Sequence, residues 1–539
     1  MGPTLDNSPI LRRLDRIFRV KPDPGSDSSQ QWSNKDLDPV PPERRTWGPL
    51  DIVGYWISDQ YATSLWNMGA TVVSLGLTLK EGLPIAFAGF FIISIVLTYN
   101  GRIGADTHLS FPVIIRASFG VYGAYLAILV RCLFALMWLC ILTYQAGGLT
   151  AVVLTAIFPS CARIPNTLPE GFGLTSQTML GFGIFWIIQT PLCLMPVHKL
   201  KYFFWFKMVV CPITFFGLFI WGLVVTKGHA PFIDGPTQIQ GSKAWAYIQA
   251  LNILTGLCST MAINISDFSR FSKKGAVNYW QMFAVPFSGV TPIMCAMVAV
   301  AATKQLWGVD AWNPADMITF FDNRAVKFFT SFGFIVGSIG SNVSTNCISF
   351  ATDITSIWPR YITIFRAALF ASILCFAMNP WKIVTNAPSF VAFLGAYPAF
   401  LAPVATIMVV DWYLVRKGKV HIIELYDLKG KFYYRYGFNW RAIVAWVVSF
   451  APNLPAFAHA VNPKNPNVQP YTWYISWYFA TAVSGIVYYV LCRCWPATST
   501  YVDDPIYEID GTIDGMGDAE KGGFEEHETQ NDGRNSKED

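Results

Sequence analysis

Charge is scarce in this chain: Asp, Glu, Lys and Arg make up only 14% of its 539 residues. A water-soluble protein of that length carries about a quarter of its residues as charged groups. Histidine is scarcer still, with six in all, and no HExxH, GxSxG or CxxC pattern occurs. Enzymes built on those chemistries are therefore excluded. No carbonyl-filter motif or carboxylate ring argues for a channel. The 11 cysteines lie singly in apolar stretches without disulfide or metal spacing, so they read as small apolar fillers. No metal or other cofactor is expected. A cleavable signal peptide is also missing from the pattern: residues 1–46 are polar and charged, so the first apolar run is expected to direct its own insertion.

What is plentiful is apolar and aromatic, 53% and 16% of the chain with 20 Trp. About 20 apolar residues suffice to cross a bilayer as a helix. Twelve runs meet that need: 50–76, 83–99, 117–149, 178–197, 204–226, 246–269, 280–302, 328–352, 361–379, 388–413, 440–460 and 472–494. Because every backbone group inside a bilayer must be satisfied internally, the fold class is an all-α membrane protein. The organisation expected is a tail over 1–46, a membrane domain over 47–494 and an acidic disordered tail over 495–539. Residues 501–539 hold 13 acids against three bases and no apolar run.

Loop charges orient the bundle. One set of connections carries 17 basic residues, from Arg102 and Arg116 through Lys199, Lys201 and Lys207 to the cluster Arg416–Arg441. The opposite set carries nine. Cations favour the cytoplasmic side, which puts both termini in the cytoplasm. Because these cations sit in short loops, nucleic acid is not implied as a partner.

Polar residues interrupt particular spans. The first holds Ser58-Asp59-Gln60, Thr63-Ser64 and Asn67; the sixth holds Thr255-Gly256, Ser259-Thr260, Asn264 and Ser266-Asp267. Such residues are costly in hydrocarbon and poor helix formers. Clusters in matching positions of two halves point to discontinuous helices that free backbone groups for a ligand. The eighth span is the most polar, and its Asn342 and Asn346, four apart, share one helix face. An amide donates and accepts together, which suits the edge of a lactam or imide ring. Arg131 reads as snorkelling or paired, and Asp267 and Asp353 as partners of Arg270 or Arg360.

Several long motifs stand in order. They include Asn34-Lys-Asp36-Leu37-Asp-Pro39, then Arg44-Arg45-Thr46-Trp47, and the loop Gly101-Arg102-Ile-Gly104-Ala105. His108-Leu-Ser110-Phe111-Pro112 and Arg116-Ala117-Ser118-Phe119-Gly120 follow. Asn264-Ile-Ser-Asp267-Phe268-Ser269-Arg270-Phe271, Thr345-Asn346, Thr352-Asp353-Ile-Thr355 and Asp411-Trp412-Tyr413 complete the set. On these residues the chain resembles the fungal uracil and allantoin permease branch of the nucleobase:cation symporter-1 family. The resemblance implies a LeuT-type five-plus-five inverted repeat with two extra helices, alternating access and proton symport of a small planar heterocycle. Nucleobases such as uracil, allantoin, uric acid or related heterocycles are each substrates it implies, with the fungal plasma membrane as location.

The resemblance also assigns residues. Trp138 matches the third-span Trp that stacks on the substrate ring, which contributes roughly 1–3 kcal/mol with little base selectivity. Asn346 matches the eighth-span amide on the ring edge, with Asn342 one turn away. Two departures stand out. Leu142 replaces a Gln usual in uracil and allantoin members, leaving Gln145 as the nearest amide, and no aromatic lies between Tyr247 and Phe268. A nucleoside or a vitamin (uridine, thiamine, nicotinamide riboside) is the alternative substrate, and a non-transporting solute sensor the alternative function. Sodium-site positions of bacterial relatives fall near Gly340, Ser341 and Gln60, and Asp59 is the carboxylate placed to carry a proton, with Na+ the weaker alternative. Phe393, Tyr397 and Phe400 in a Gly- and Pro-interrupted tenth span are candidate gate rings. Membrane lipids are expected around the bundle, and Lys521 and Lys537 in the acidic tail offer acceptor sites for a ubiquitin ligase adaptor.

Overall fold

The computed structural model describes residues 15, 17–20, 33–169, 171–195, 197–309, 311–383, 387–427, 430–461 and 471–507. Among them helices dominate, and the only β pairing is three isolated bridges. Each of the twelve expected spans falls on a helix or on consecutive helices. The first is α1 (Pro49–Gln60) and α2 (Thr63–Ser74), and the second is α3 (Leu79–Thr107). The short α4 (Phe111–Phe119) leads into the third span, α5 (Gly123–Ile157), followed by α6 (Ser176–Cys193) and α7 (Val197–Thr226). The sixth span is α8 (Lys243–Gly256) and α9 (Ser259–Asn264), and the seventh is α10 (Gln281–Trp307). A connecting helix α11 (Pro314–Ile318) precedes the eighth span, α12 (Arg324–Ser341) and α13 (Ile348–Ile357), joined by a π-helical segment, Asn342–Cys347. The ninth to twelfth are α14 (Ile364–Ala377), α15 (Ala387–Val410), α16 (Trp440–Phe450) with α17 (Leu454–Val461), and α18 (Ser476–Cys494).

Seven of the described helices are long and apolar enough by themselves to cross a membrane. The first span is not among them because it is split into two helices of 12 residues each. The sequence Gly101–Ala105, expected as loop, continues α3 instead, because nothing before Thr107 breaks the helix and His108 ends it in the left-handed conformation.

Close approach of helices rests on small residues. Gly181 of α6 lies against Gly147 of α5 so tightly that a Cβ at 181 would come 2.3 Å from the Gly147 carbonyl oxygen. Gly69 of α2 meets Ala296 of α10 in the same way. In a bilayer, where lipid is as apolar as Leu, such contacts hold helices together by packing alone.

Both expected tails are partly built into the fold. Val40 N–H donates to the His108 carbonyl at 3.0 Å, Trp47 N–H to Phe271, and the Asn34 amide to the carbonyls of Pro359 and Ile362. At the other terminus, Ile506 pairs with Val420 and Ile422 through two bonds of 3.1 Å, and Arg416 Nη1 donates to the Thr500 carbonyl at 3.0 Å. The packed region therefore runs to at least residue 507 rather than stopping at 494; the rest of the acidic tail lies outside the described residues. Gly181→Leu should force α5 and α6 apart at a cost of about 2–3 kcal/mol. Thermal unfolding of detergent-purified protein should show a lower midpoint than wild type, and an unchanged midpoint would refute this packing account.

Candidate functional site

The two interrupted spans set the site. In the first, α1 stops at Gln60, Tyr61 and Ala62 leave helical geometry, and α2 resumes at Thr63. The Tyr61 carbonyl faces Gly337 of α12, where a Cβ would come within 2.9 Å of it. In the sixth, a turn at Leu257-Cys258 separates α8 from α9. Gln60 reaches across from one break to the other: its Nε2 donates to Cys258 Sγ at 3.7 Å, while its buried Oε1 has no hydrogen-bond partner. Ser259 Oγ is likewise buried without one.

Trp138 stands on α5 beside these breaks, buried, with Leu142 buried one turn on. Its ring meets that of Tyr397 edge-on, centroids 6.0 Å apart. Tyr397, on α15, donates its hydroxyl to the carbonyls of Gly256 and Leu257 at 3.0 and 2.8 Å. The other expected gate rings differ. Phe400 packs between Phe450 of α16 and Phe134 of α5, with centroids 5.1 and 6.1 Å away. The Phe393 side chain lies outside the described residues.

The two amides of the eighth span, alike in sequence, occupy different environments. Asn342 Nδ2 donates to Gln189 Oε1 at 2.7 Å, to Thr143 Oγ1 at 3.1 Å and to the Leu139 carbonyl at 3.3 Å, and its Oδ1 accepts from Asn346 Nδ2 at 2.9 Å. Its two N–H groups are thus taken up by spans three and four, and its oxygen holds Asn346 in place. Asn346 uses one amide N–H on Asn342, which leaves its carbonyl oxygen and its second N–H. Gln145, too, is committed elsewhere: its amide bonds that of Asn67 at 3.0 Å, tying α5 to α2. Turned to satisfy its neighbours, the Asn67 nitrogen donates to the carbonyls of Thr63 and Trp312.

One residue that the loop count assigned to a connection lies in the site. Lys207 is fully buried on α7, and its Nζ donates to Ser341 Oγ at 3.1 Å. Ser341 Oγ in turn donates to the Asp59 carbonyl at 3.1 Å. The Lys207 stem runs over Gly340, where any side chain would collide with it, and its ammonium interacts electrostatically with Asp59. Asp59 keeps a buried Oδ1 without a hydrogen-bond partner. Lys207 therefore leaves the loop tally, and the signal that could have found it is the facing pair of Gly340 and Ser341.

Below the site, toward the end of the bundle carrying the basic loops, Arg131 forms an ion pair with Asp353, both fully buried. Its Nη2 also donates to the Ser349 carbonyl at 2.7 Å. The expected partner Arg360 is instead bonded to Asp15 at 2.8 Å. Asp267 accepts from the Phe111 N–H at 2.8 Å, while Arg270 donates to the backbone carbonyls of Asp267 and Asp36 at 3.2 and 3.1 Å.

This arrangement defines a class: a polytopic helical membrane protein with a polar site at paired helix breaks, as in secondary transporters. The model of a permease family for cytosine/purines, uracil, thiamine and allantoin matches residues 39–479, and the chain belongs to that family. The allantoin permease of Saccharomyces cerevisiae is 30% identical over 88% of this chain and 78% of its own. The uracil permease of the same yeast is 31% identical with the same coverage. Among solved structures, the nucleobase-cation-symport-1 family transporter MHP1, in a closed conformation with bromovinylhydantoin bound, is similar with a TM-score of 0.67. It is 19% identical and covers 86% of this chain and 97% of its own. The fold is accordingly LeuT-like, and the chain is a multi-pass permease for small heterocycles rather than an enzyme.

The two asparagines should separate on mutation. Asn342→Ala leaves Gln189 and Thr143 without their partner and should lower the unfolding midpoint. Asn346→Ala should leave the midpoint close to wild type but raise the apparent KM for the transported solute at least tenfold. Equal effects of both variants on both readouts would contradict the division of labour.

Proposed function

We propose that the protein is a proton-coupled symporter of the plasma membrane, with both termini cytoplasmic, that imports a small planar heterocycle such as uracil, allantoin or uric acid by alternating access. The observation that carries the coupling is buried Lys207 against Ser341 and the Asp59 carbonyl. A sodium site needs several converging oxygens at one point. Here an ammonium stands where the first and eighth spans meet, so the cation there belongs to the protein and can change charge only by gaining or losing a proton. Asp59, facing it, is the matching acceptor. Proton movement between this pair and the two aqueous sides would change the bonds that join α1 to α12, and with them the balance between outward and inward states.

The substrate ring would lie on Trp138 with its edge toward the Asn346 carbonyl and the Gln60 carbonyl oxygen. Both can accept, so the ring edge should present N–H groups, with the second Asn346 N–H available to a neighbouring ring carbonyl, as lactams and imides offer. A ligand lacking them would strand a buried acceptor, which costs about 1–3 kcal/mol. Leu142 and the committed Gln145 make one edge of the pocket apolar. That favours a second reading, a larger solute such as a nucleoside or a vitamin with an apolar flank. In cells, Lys521 and Lys537 would serve as ubiquitin acceptors for a ligase adaptor, with lipids enclosing the apolar helix faces.

Uptake of radiolabelled uracil, allantoin, uric acid, uridine, thiamine and nicotinamide riboside into cells lacking their own carriers decides among these. At least one should accumulate, a protonophore should abolish the gradient, and replacing sodium by choline should change it less than twofold. Accumulation that follows sodium would refute proton coupling, and no uptake of any solute would refute transport of this class. Lys207→Met should abolish accumulation while the protein still reaches the surface. Leu142→Gln should shift preference toward uracil or allantoin by tenfold or more; an unchanged ranking would remove Leu142 from the pocket.

A further inference from the structure

We infer that the Tyr397 hydroxyl, rather than its ring, is the working part of that residue. It is a positioning group that fixes both the Trp138 indole and the break in the sixth span. The inference rests on the reading of Trp138 as the surface on which the substrate ring stacks.

The argument begins with the backbone. In an unbroken helix the carbonyls of Gly256 and Leu257 would accept from the N–H groups four residues on, those of Thr260 and Met261. The turn at Leu257-Cys258 removes that register, and helical bonding restarts with Ala262 N–H on the Cys258 carbonyl at 2.8 Å. Two carbonyls are thus released inside the bundle, where an unsatisfied group is costly. Tyr397 donates to both, at 3.0 and 2.8 Å.

Its approach is built in from both sides. Pro398 of α15 lies where a Cβ at Gly256 would be, 2.6 Å from that point, so only glycine lets α15 come this near. Tyr397 itself is fully buried, and its ring packs on Phe134 with centroids 5.8 Å apart as well as on Trp138. The hydroxyl end of Tyr397 is thus fixed by the two carbonyls while its ring stands edge-on to the Trp138 indole. One side chain therefore joins α5, α15 and the α8–α9 break. A gate ring needs none of these bonds; an orienting group needs all of them.

Transport kinetics of Tyr397→Phe, Trp138→Phe and the double variant test this, with surface level read from an epitope tag. Tyr397→Phe keeps the ring and its contacts, so it should reach the surface at wild-type level yet raise KM at least tenfold. In the Trp138→Phe background the same change should cost less than threefold, because the indole it orients is already gone. Wild-type KM in Tyr397→Phe would overturn the inference and leave the ring as gate or packing. Losses that multiply in the double variant would overturn the link to Trp138. Should Tyr397→Phe fail to reach the surface, Tyr397→Met supplies a second hydroxyl-free side chain, and the detergent-purified variants are compared by the midpoint shift that saturating solute produces. A shift equal to wild type overturns the inference there as well. Failure of the underlying reading is distinct, since wild type would then transport none of the planar heterocycles.

Discussion

A carbonyl that loses its helical partner inside a bilayer has to find another, and this requirement shapes the centre of the protein. Two spans are interrupted, and each interruption releases backbone oxygens into a region without bulk water. At the first, the Tyr61 carbonyl faces Gly337 and the Asp59 carbonyl accepts from Ser341. At the sixth, the Gly256 and Leu257 carbonyls accept from Tyr397. The breaks would be costly defects in isolation. They are tolerated because helices eight and ten bring hydroxyls to them, and the polar spot so created is where a polar solute can be held.

The same logic governs the buried charges. Arg131 and Asp353 neutralise each other between the third and eighth spans, and Arg416 and Asp411 do so at 2.8 Å near the end of the tenth. Arg416 also bonds the Ala117 carbonyl at 3.1 Å and Thr500, which joins the tenth span to the helix before the third and to the C-terminal segment. Removing one member of such a pair strands the other, so these residues act as fixed struts between the spans they join. Lys207 differs. It has an acidic neighbour in Asp59 but bonds a neutral hydroxyl, that of Ser341.

Much of this was legible in the sequence, and the failures have common causes. Span positions follow from apolar run length, and both breaks follow from polar clusters, because helix length and the cost of polar groups in hydrocarbon are local properties. The separation of Asn342 from Asn346 is not local. The two share a helix face, and only Thr143 and Gln189, arriving from the third and fourth spans, decide which amide is saturated. Gln145 faces the same problem with Asn67. Lys207 follows Lys199 and Lys201 closely and reads as one more loop cation until Gly340, 133 residues later, is seen to make room for it. The boundary at 494 failed because composition alone describes a tail, whereas the backbone of residue 506 pairs with 420 and 422.

Two tie points flank the site, and each depends on a single hydroxyl. Ser341 links the first span, the fifth and the eighth; Tyr397 links the third, the sixth and the tenth. In an inverted repeat the first and sixth spans occupy equivalent positions, so the two ties are functional counterparts made with unrelated residues. Alternating access requires broken-helix spans to move relative to their surroundings. If both ties held in every state, the breaks could not shift. If neither held, the site would lose its geometry. If, as proposed, Lys207 exchanges a proton and Trp138 stacks on the substrate, each tie would answer to a different cargo. The Ser341 tie would respond to the coupling proton and the Tyr397 tie to the heterocycle. Coupling then requires only that release of one tie make the other easier to release, through the core that the first and sixth spans share at Gln60 and Cys258.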